Sequence, residues 1–253
     1  MNATHRRLAE QAFHDRQASE RAAARSQKAN PLLFDDEVYL DHESWILPAF
    51  AQLGDLAGTR VLDFGCGHGM AAVVLARRGA QVTAFDLSAG YLAEARARAE
   101  ANGVVISFAQ ADGVRLPFAD GAFDRIWGNA VLHHLDLKRT GPELARVLNH
   151  DGVAVFCEPW GENPLLTWAR QRLPYPGKDR TPDEQPLRRQ QLEVLRENFA
   201  SVHIRGFQLL SMARRVLGRN RLVAGLETFD DLLLRRLPRL QHVCRYVVLV
   251  MRP

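Results

Sequence analysis

The sequence contains few cysteines and no long apolar run. Its 253 residues include only Cys66, Cys157 and Cys244, which are scattered and odd in number. Such a set does not make a disulfide framework and is typical of a reducing compartment. The amino terminus carries charge from His5 onward with no apolar core behind it, and no run approaches the length of a membrane span. These absences predict a cytoplasmic protein without a transmembrane segment.

Lysine is scarce as well. Only Lys28, Lys138 and Lys178 are lysines among 33 basic residues, and the formal net charge is only +4. Arginine dominance of this kind indicates coding bias more than a surface for phosphates, which argues against a nucleic-acid partner. Arginines do cluster at Arg214, Arg215, Arg219 and Arg221, and again at Arg235, Arg236, Arg239 and Arg245. Most charge runs are solvated helix faces, although a local basic face stays open.

What the sequence does contain is an alternation of strand and helix patterns. With 47% hydrophobic residues, the chain can bury the core of a single α/β domain. Strands and helices alternate over the ranges 60–64, 70–78, 81–86, 89–102 and 104–110. This order is typical of a parallel sheet with crossover helices. The fold class predicted is α/β, with one doubly wound sheet.

The most informative segment runs from Asp63 to Gly69 and has glycines in the pattern G-x-G-x-G. A dinucleotide fingerprint would place its third glycine at position 70, which is Met70. A buried strand leads into this glycine loop, a helix follows, and the next strand ends at Asp86. That arrangement is how α/β folds hold an adenosine ribose. The sequence therefore predicts a nucleoside-cofactor site, although glycines in such a place can also serve only to make the turn.

These residues resemble the first motifs of the class I S-adenosylmethionine (SAM) dependent methyltransferases. The resemblance implies a Rossmann-like sheet of seven strands with the last one antiparallel, and SAM as the cofactor. Asp63 would face the cationic methionine end, and Asp86 would accept both ribose hydroxyls. Cys66 fills a loop position that tolerates many residues. The residues expected at the cofactor are Asp63, Gly65, Cys66, Gly67, Gly69, Asp86, Leu87, Asp112, Gly113 and Asn129.

The resemblance continues after the third strand. Asp112 would bond the adenine amino group, and Gly113 would let the backbone approach the base. Asn129, which follows the fourth strand, would approach the methionine moiety at the carboxyl edge of the sheet. The family usually has a Pro-Gly-Gly turn before the fifth strand. This sequence departs from that pattern and has Asp151-Gly152 there, with a single glycine. A turn can survive that substitution.

A general base is harder to assign. Methyl transfer from a sulfonium is an in-line displacement, so the protein mainly has to align the reacting groups. A phenol or hydroxyl acceptor would also need a base, and the candidates in order are His134, His133 and Glu158. Because paired histidines are common at this place in the resembled family without catalytic duty, the use of a base stays open. Two histidines alone do not make a metal site.

The flanking segments are expected to form a cap. We divide the chain into an N-terminal helical lid (1–56), a SAM-binding core (57–159) and the remainder of the sheet with insertions (160–253), whose strands fall near 202–207 and 244–251. The first helix would span 1–28, with a thin apolar stripe through Leu8, Ala12 and Phe13. It would end at Asn30-Pro31.

A second helical pattern runs from Asp41 to Leu53. From these segments and from the irregular stretch 160–187, candidate substrate contacts are Tyr39, His42, Trp45 and Trp160. Core packing accounts for Trp45 equally well. The leucine-rich stretch 209–240 would cap an apolar substrate or contact an oligomer partner or a membrane surface.

The sequence thus predicts a SAM-dependent methyltransferase acting on a small, partly apolar acceptor, with O-methylation slightly favoured over C- or N-methylation. The arginine clusters motivate one alternative, an RNA-modifying methyltransferase, although no RNA-binding module supports it. The lack of an assignable base motivates another, a noncatalytic binding protein with the SAM fold. The oligomeric state and the identity of the acceptor stay open.

Overall fold

A computed structural model describes residues 3–25, 32–172 and 185–253. Within them, seven strands form one sheet in the order β3-β2-β1-β4-β5-β7-β6. The strands are β1 (Arg60–Phe64), β2 (Gln81–Asp86), β3 (Ser107–Gln110), β4 (Phe123–Asn129), β5 (Leu148–Pro159), β6 (Ser201–Phe207) and β7 (Tyr246–Arg252). Pairing is parallel from β3 to β5, and β7 runs antiparallel to both of its neighbours. The predicted α/β sheet with an antiparallel last strand is confirmed.

The helices follow the predicted alternation. They are α1 (Ala3–Arg25), α2 (Asp36–Leu40), α3 (Ile46–Phe50), α4 (Met70–Arg77), α5 (Ala89–Ala101), α6 (Leu137–Val147), α7 (Pro164–Arg172), α8 (Arg189–Arg196), α9 (Arg214–Leu217) and α10 (Arg221–Arg236). The Ser88 hydroxyl caps α5 by accepting the Tyr91 N–H at 3.1 Å. No described helix combines the length and the apolar character needed to cross a membrane.

The sheet buries both of its faces. One core packs α2 to α4 against the sheet and includes Trp45, Phe50, Trp127 and Val248. The other lies under α6 and α8 and includes Phe64, Phe156, Leu144 and Leu195. The first core therefore draws side chains from all three of the segments 1–56, 57–159 and 160–253. The division of the chain into a lid, a core and a cap stays a prediction about roles.

The helix predicted over 41–53 is wrong in its extent. The chain forms α2, turns through 41–45, forms α3 and ends in a 3-10 turn at 51–53. Pro48 explains the break, because proline has no backbone N–H. In a helix that began earlier, that group would have to donate to the carbonyl one turn before it. Pro48 is tolerated only because it falls in the first turn of α3.

The apolar stripe predicted along the first helix is also wrong. Phe13 is buried as expected, but Leu8 and Ala12 are exposed. The buried face of α1 instead includes Glu10 and Ala18. The predicted end of this helix at 30–31 and part of the stretch 160–187 (residues 173–184) lie outside the described residues.

The turn predicted before the fifth strand lies inside β5. The partner of Phe123 is Leu148, whereas the partner of Arg125 is Val153, so β5 carries extra residues at this point. A Cβ on Gly152 would lie 2.5 Å from Leu148 Cδ1 and 2.7 Å from the Asn149 carbonyl oxygen. The chain therefore folds back tightly on itself, which requires the single glycine that the sequence retains.

Candidate functional site

A cavity of about 700 Å³ opens at the carboxyl ends of β1, β2 and β4. This is the edge where open parallel sheets bind ligands. The predicted cofactor residues that line it are Gly65, Gly67, Asp86, Leu87, Asp112, Gly113 and Asn129. Asp63, Cys66 and Gly69 do not line the cavity.

The three loop glycines have different surroundings. All adopt positive φ, at 69°, 49° and 83° for Gly65, Gly67 and Gly69. A Cβ on Gly65 would lie 2.6 Å from Val131 Cγ2, and one on Gly69 would lie 2.7 Å from Ala95 Cβ. A Cβ on Gly67 would meet no atom within 4 Å. Close packing therefore requires two of the glycines, whereas Gly67 leaves room beside the cavity.

Asp86 ends β2 and ties the glycine loop to the next helix. Its Oδ2 accepts the Gly67 N–H and its Oδ1 accepts the Ser88 N–H, both at 2.9 Å. Burial raises the pKa of this carboxyl group. The two amides and His14 lower it, but the pKa stays above its usual value. Each carboxylate oxygen can accept a further hydrogen bond, so Asp86 can hold the loop and a ligand hydroxyl together.

Asp63 lies deeper, and only 2% of its surface is exposed. Burial, reinforced by the nearby Asp86, raises its pKa to about 8, while the Ala72 amide at the start of α4 opposes the shift. Its Oδ2 has no hydrogen-bond partner within the described part of the chain. Asp63 therefore carries a proton at neutral pH and contacts the first turn of α4. Its contact with a cationic ligand stays a prediction.

The remaining predicted cofactor residues surround the far end of the cavity. Asp112 Oδ1 accepts the Val114 N–H at 3.1 Å, which shapes the loop after β3. A Cβ on Gly113 would lie 2.7 Å from Phe64 Cζ, so only glycine fits there. Asn129 Oδ1 is buried without a partner among the described residues. The residue after it, Ala130, has φ 57°, a conformation that only a constrained loop retains.

These groups fit SAM. The carboxylates of Asp86 and Asp112 can accept hydrogen bonds from the hydroxyl and amino groups of a nucleoside, and the Asn129 oxygen can accept from an ammonium group. These contacts stay predictions. The open space beside Gly67 allows a ligand to approach the backbone closely. The donors of the nucleoside and of its amino acid tail thus match the acceptors that line the cavity.

The two histidines after β4 have separate surroundings. Glu158 is fully buried, and its Oε1 accepts the Val131 and Leu132 N–H groups at 3.0 and 2.8 Å. Its Oε2 lies 2.7 Å from His133 Nδ1. Neither Glu158 nor His133 lines the cavity, so this geometry favours a role in shaping the loop over their predicted role as bases. His134 does line the cavity.

The predicted substrate contacts are packing residues in this structure. Trp45 stacks on Tyr246 with ring centroids 3.8 Å apart, and Tyr39 packs edge-on to Phe50. Trp160 is buried and donates its indole N–H to the His242 carbonyl at 3.1 Å. His42 is exposed, and its carbonyl accepts a bond from Arg214. None of the four lines the cavity: the aromatic side chains of Tyr39, Trp45 and Trp160 complete the core, and His42 lies at the surface.

Sequence reasoning missed the polar underside of α1. Glu10 Oε1 lies 3.3 Å from His134 Nδ1, and Asp15 accepts bonds from the Ser88 hydroxyl and the Gly90 N–H. Arg21 pairs with the buried Glu94 at 2.9 Å. The spacing of polar residues at 10, 14, 17 and 21 carries this signal, because these positions share one face of a helix. α1 therefore lies across the cavity.

His14 of α1 lines the cavity close to His134, with ring centroids 5.8 Å apart. Burial lowers the pKa of His14, but the Glu10 and Asp86 carboxylates outweigh burial, so that the pKa is raised overall. Glu10 and His14 of α1 and His134 after β4 thus line the same cavity as Asp86. The amino-terminal helix contributes polar groups to the site as well as covering it.

The fold and the glycine loop define a Rossmann-like domain of the class I methyltransferase type. Residues 62–156 match the family model described as a methyltransferase domain. The resemblance drawn from the motifs is confirmed.

Among curated relatives, methyltransferase GfsG of Streptomyces halstedii is 41% identical over 113 residues, which are 43% of this chain and 41% of that protein. Demethylmenaquinone methyltransferase of Clavibacter sepedonicus is 36% identical over 115 residues, 45% of this chain and 46% of that protein. The chain thus spans less than half the length of these relatives.

A solved structure of geranyl diphosphate C-methyltransferase from Streptomyces coelicolor A3(2) matches with a TM-score of 0.56. Its sequence is 21% identical, and the match covers 81% of this chain and 77% of that one. At this identity the likeness supports the fold alone.

Proposed function

We propose that the protein binds SAM in the cavity at Gly67 and Asp86 and transfers its methyl group to a small, partly apolar acceptor. The observation that carries this proposal is the open space at Gly67 beside Asp86, in a segment that matches the methyltransferase domain model. SAM supplies a methyl carbon already activated by a sulfonium. The protein then has to hold, orient and shield the reactants.

The lining residues divide this work. Asp86 and Asp112 hold the nucleoside, and Asn129 accepts from the amino acid tail. The helix α1 covers the cavity through Glu10 and His14, which excludes water from the reacting groups. The buried Glu158 positions the loop that carries Asn129 and His134.

The acceptor end of the cavity is apolar in part. Val131, Leu135 and Val194 line it together with His134. If the acceptor is a hydroxyl, His134 is the base, and Glu10 orients its ring through the contact at Nδ1. This supports O-methylation slightly over C- or N-methylation. The arginine clusters between 214 and 245 line no part of this cavity, which disfavours RNA as the acceptor.

Calorimetry with SAM and S-adenosylhomocysteine tests the cofactor proposal. Asp86→Ala should weaken binding by about 2 kcal/mol, because charge-assisted bonds to both ribose hydroxyls are lost. Asp120→Ala, at a carboxylate that is 81% exposed, is the control and should bind normally. Thermal melts must accompany the titrations, because Asp86 also holds the Gly67 and Ser88 amides.

Failure of the folded wild type to bind either compound would end the proposal. Affinity unchanged in Asp86→Ala would remove the ribose role alone. Incubating cell extract with methyl-tritiated SAM separates an enzyme from a noncatalytic binding protein. We expect a small labelled product that depends on the protein, whereas binding without any labelled product would favour the noncatalytic alternative.

A further inference from the structure

The insertion between β6 and β7, residues 208–245, exposes a large share of the protein's apolar side chains. Of the fourteen large apolar side chains that the described residues expose, seven lie within it. They are Leu210, Val216, Leu217, Leu222, Phe229, Leu232 and Leu237. Single exposed apolar residues are ordinary, but a concentrated set marks an interaction surface.

The longest helix of the insertion, α10, has two distinct sides. Val223, Asp230 and Leu234 are buried against the protein. Leu222 is 63% exposed, and Phe229 and Leu232 are each about half exposed. The spacing of 222, 229 and 232 by seven and three places these three side chains along one side of the helix. We call this side the outer face of α10.

Unpaired positive charge surrounds the outer face. The acidic residues of the insertion are Glu227, Asp230 and Asp231, and each is held by arginines or by backbone amides of the protein itself. Five exposed arginines have no acidic partner within the described part of the chain. They are Arg215, Arg219, Arg221, Arg236 and Arg239. Apolar and cationic groups are therefore presented together.

We propose that the outer face of α10, with its flanking arginines, docks on an anionic membrane surface. The leucines and Phe229 enter the boundary between headgroups and acyl chains, while the arginines bond the lipid phosphates. This occupant satisfies both kinds of group at once. A nucleic acid would leave the apolar face uncovered. A second copy related by two-fold symmetry would set the same arginine-rich surface against itself.

The position of the insertion agrees with this docking. It leaves the sheet at the carboxyl end of β6, which runs parallel to β5 because both are antiparallel to β7. The cavity described above lies at the carboxyl ends of β1, β2 and β4, which run in the same direction. The insertion therefore leaves the sheet at the same edge at which the cavity opens.

Sedimentation of the full chain with lipid vesicles tests the proposal. Vesicles of phosphatidylcholine with an equal part of phosphatidylglycerol should bind the protein, and vesicles of phosphatidylcholine alone should bind it much less. Binding should weaken as salt is raised, because screening shortens the reach of the arginines. The double variant Arg221→Ala/Arg236→Ala should lower the partition coefficient about thirtyfold, since each surface arginine contributes about fivefold.

Apolar variants and matched controls distinguish docking through this face from nonspecific electrostatic or hydrophobic binding by the rest of the surface. Leu222→Ser/Phe229→Ser should lower partitioning about tenfold or more. Val105→Ser removes an apolar side chain that is 93% exposed. Val105 lies just before β3, the outermost strand on the side of the sheet away from β6. Arg78→Ala/Arg96→Ala makes the same charge change at two exposed positions, the residue after α4 and one within α5. Both controls should bind vesicles as the wild type does.

Three outcomes would overturn the proposal. They are equal binding to neutral and anionic vesicles, no binding to either, and unchanged binding by both patch variants. Light scattering tests the alternative that a second copy of the chain covers this face. A dimer in solution that dissociates in the Leu222→Ser/Phe229→Ser variant would assign the face to self-association. All four substituted patch residues are exposed, so thermal melts of the variants should match the wild type.

Discussion

Asp63 shows how burial of one side chain makes stability depend on pH. Its pKa is raised to about 8 in the folded protein, whereas an unperturbed aspartate titrates near about 4. Between these values the folded state keeps a proton that the unfolded state releases. The free energy of unfolding contributed by this group therefore falls as the pH rises through that range, and stays level above and below it.

We expect Asp63→Asn, which keeps the shape of the side chain but cannot ionise, to gain stability relative to the wild type as the pH rises from about 5 to about 8. Urea unfolding at both pH values measures this difference. Asp120→Asn, at an exposed carboxylate, should show no comparable trend. A difference between Asp63→Asn and the wild type that stays constant across this range would mean that Asp63 is ionised in the folded protein.

At the level of elements, α1 docks through a close contact with α5. A Cβ built on Gly90 would lie 2.9 Å from Ala18 Cβ, so the two helices meet where both residues are small. Asp15, Gln17 and Arg21 of α1 make polar contacts with α5, and the His14 ring contacts Tyr91. Phe13 and Ala18 are the buried apolar side chains among the described residues of α1, so its docking is sensitive to a side chain added at Ala18.

Ala18→Leu should displace α1 from α5 and raise the dissociation constant for S-adenosylhomocysteine about tenfold, since overpacking of this kind costs roughly 1 to 3 kcal/mol. Ala22→Leu makes the same change at an exposed position one turn further along α1 and is the matched control. Calorimetry gives the affinity, and limited proteolysis reports whether α1 has been released. Release of α1 with unchanged affinity would show that the helix has no part in the site.

Local sequence signals explain which elements could be predicted. The glycine loop and the strand that ends at Asp86 each depend on residues close together in the chain. The pairing of Glu158 with His133 and with the backbone after β4 joins residues 25 to 27 positions apart, and that of Glu10 with His134 joins residues 124 apart. Sequence periodicity carries no information about such contacts, so the sequence alone does not reveal the partners of the candidate bases.

The same reasoning applies to aromatic residues. Tyr39, Trp45 and Trp160 have side chains that suit either a binding site or a core, and only the packing partner decides between them. Trp45 stacks on Tyr246 of β7, about 200 positions away in the chain. The sequence could place these residues near the sheet, but it could not say whether they would pack in the core or line the binding site.

At the scale of the whole molecule, the segment matched by the methyltransferase domain is not a complete core. β5 lies between β4 and β7, so cutting after Pro159 leaves one of its edges unpaired. Removing residues 1–56 also uncovers Trp127, which packs edge-on to Phe50 with ring centroids 4.3 Å apart. The core at this face needs side chains from all three segments.

A fragment of residues 57–159 should therefore fail to fold on its own, while the full chain unfolds in a single cooperative transition. The fragment forfeits the β5–β7 pairing and exposes the apolar face that α2 and α3 cover, a loss larger than the marginal stability of a domain this small. Circular dichroism melts and amide proton dispersion of both chains, under the same conditions, make the comparison. A sharp melting transition and a dispersed spectrum from the fragment would instead establish 57–159 as an autonomous domain, and the flanking segments would then be additions that the core does not require.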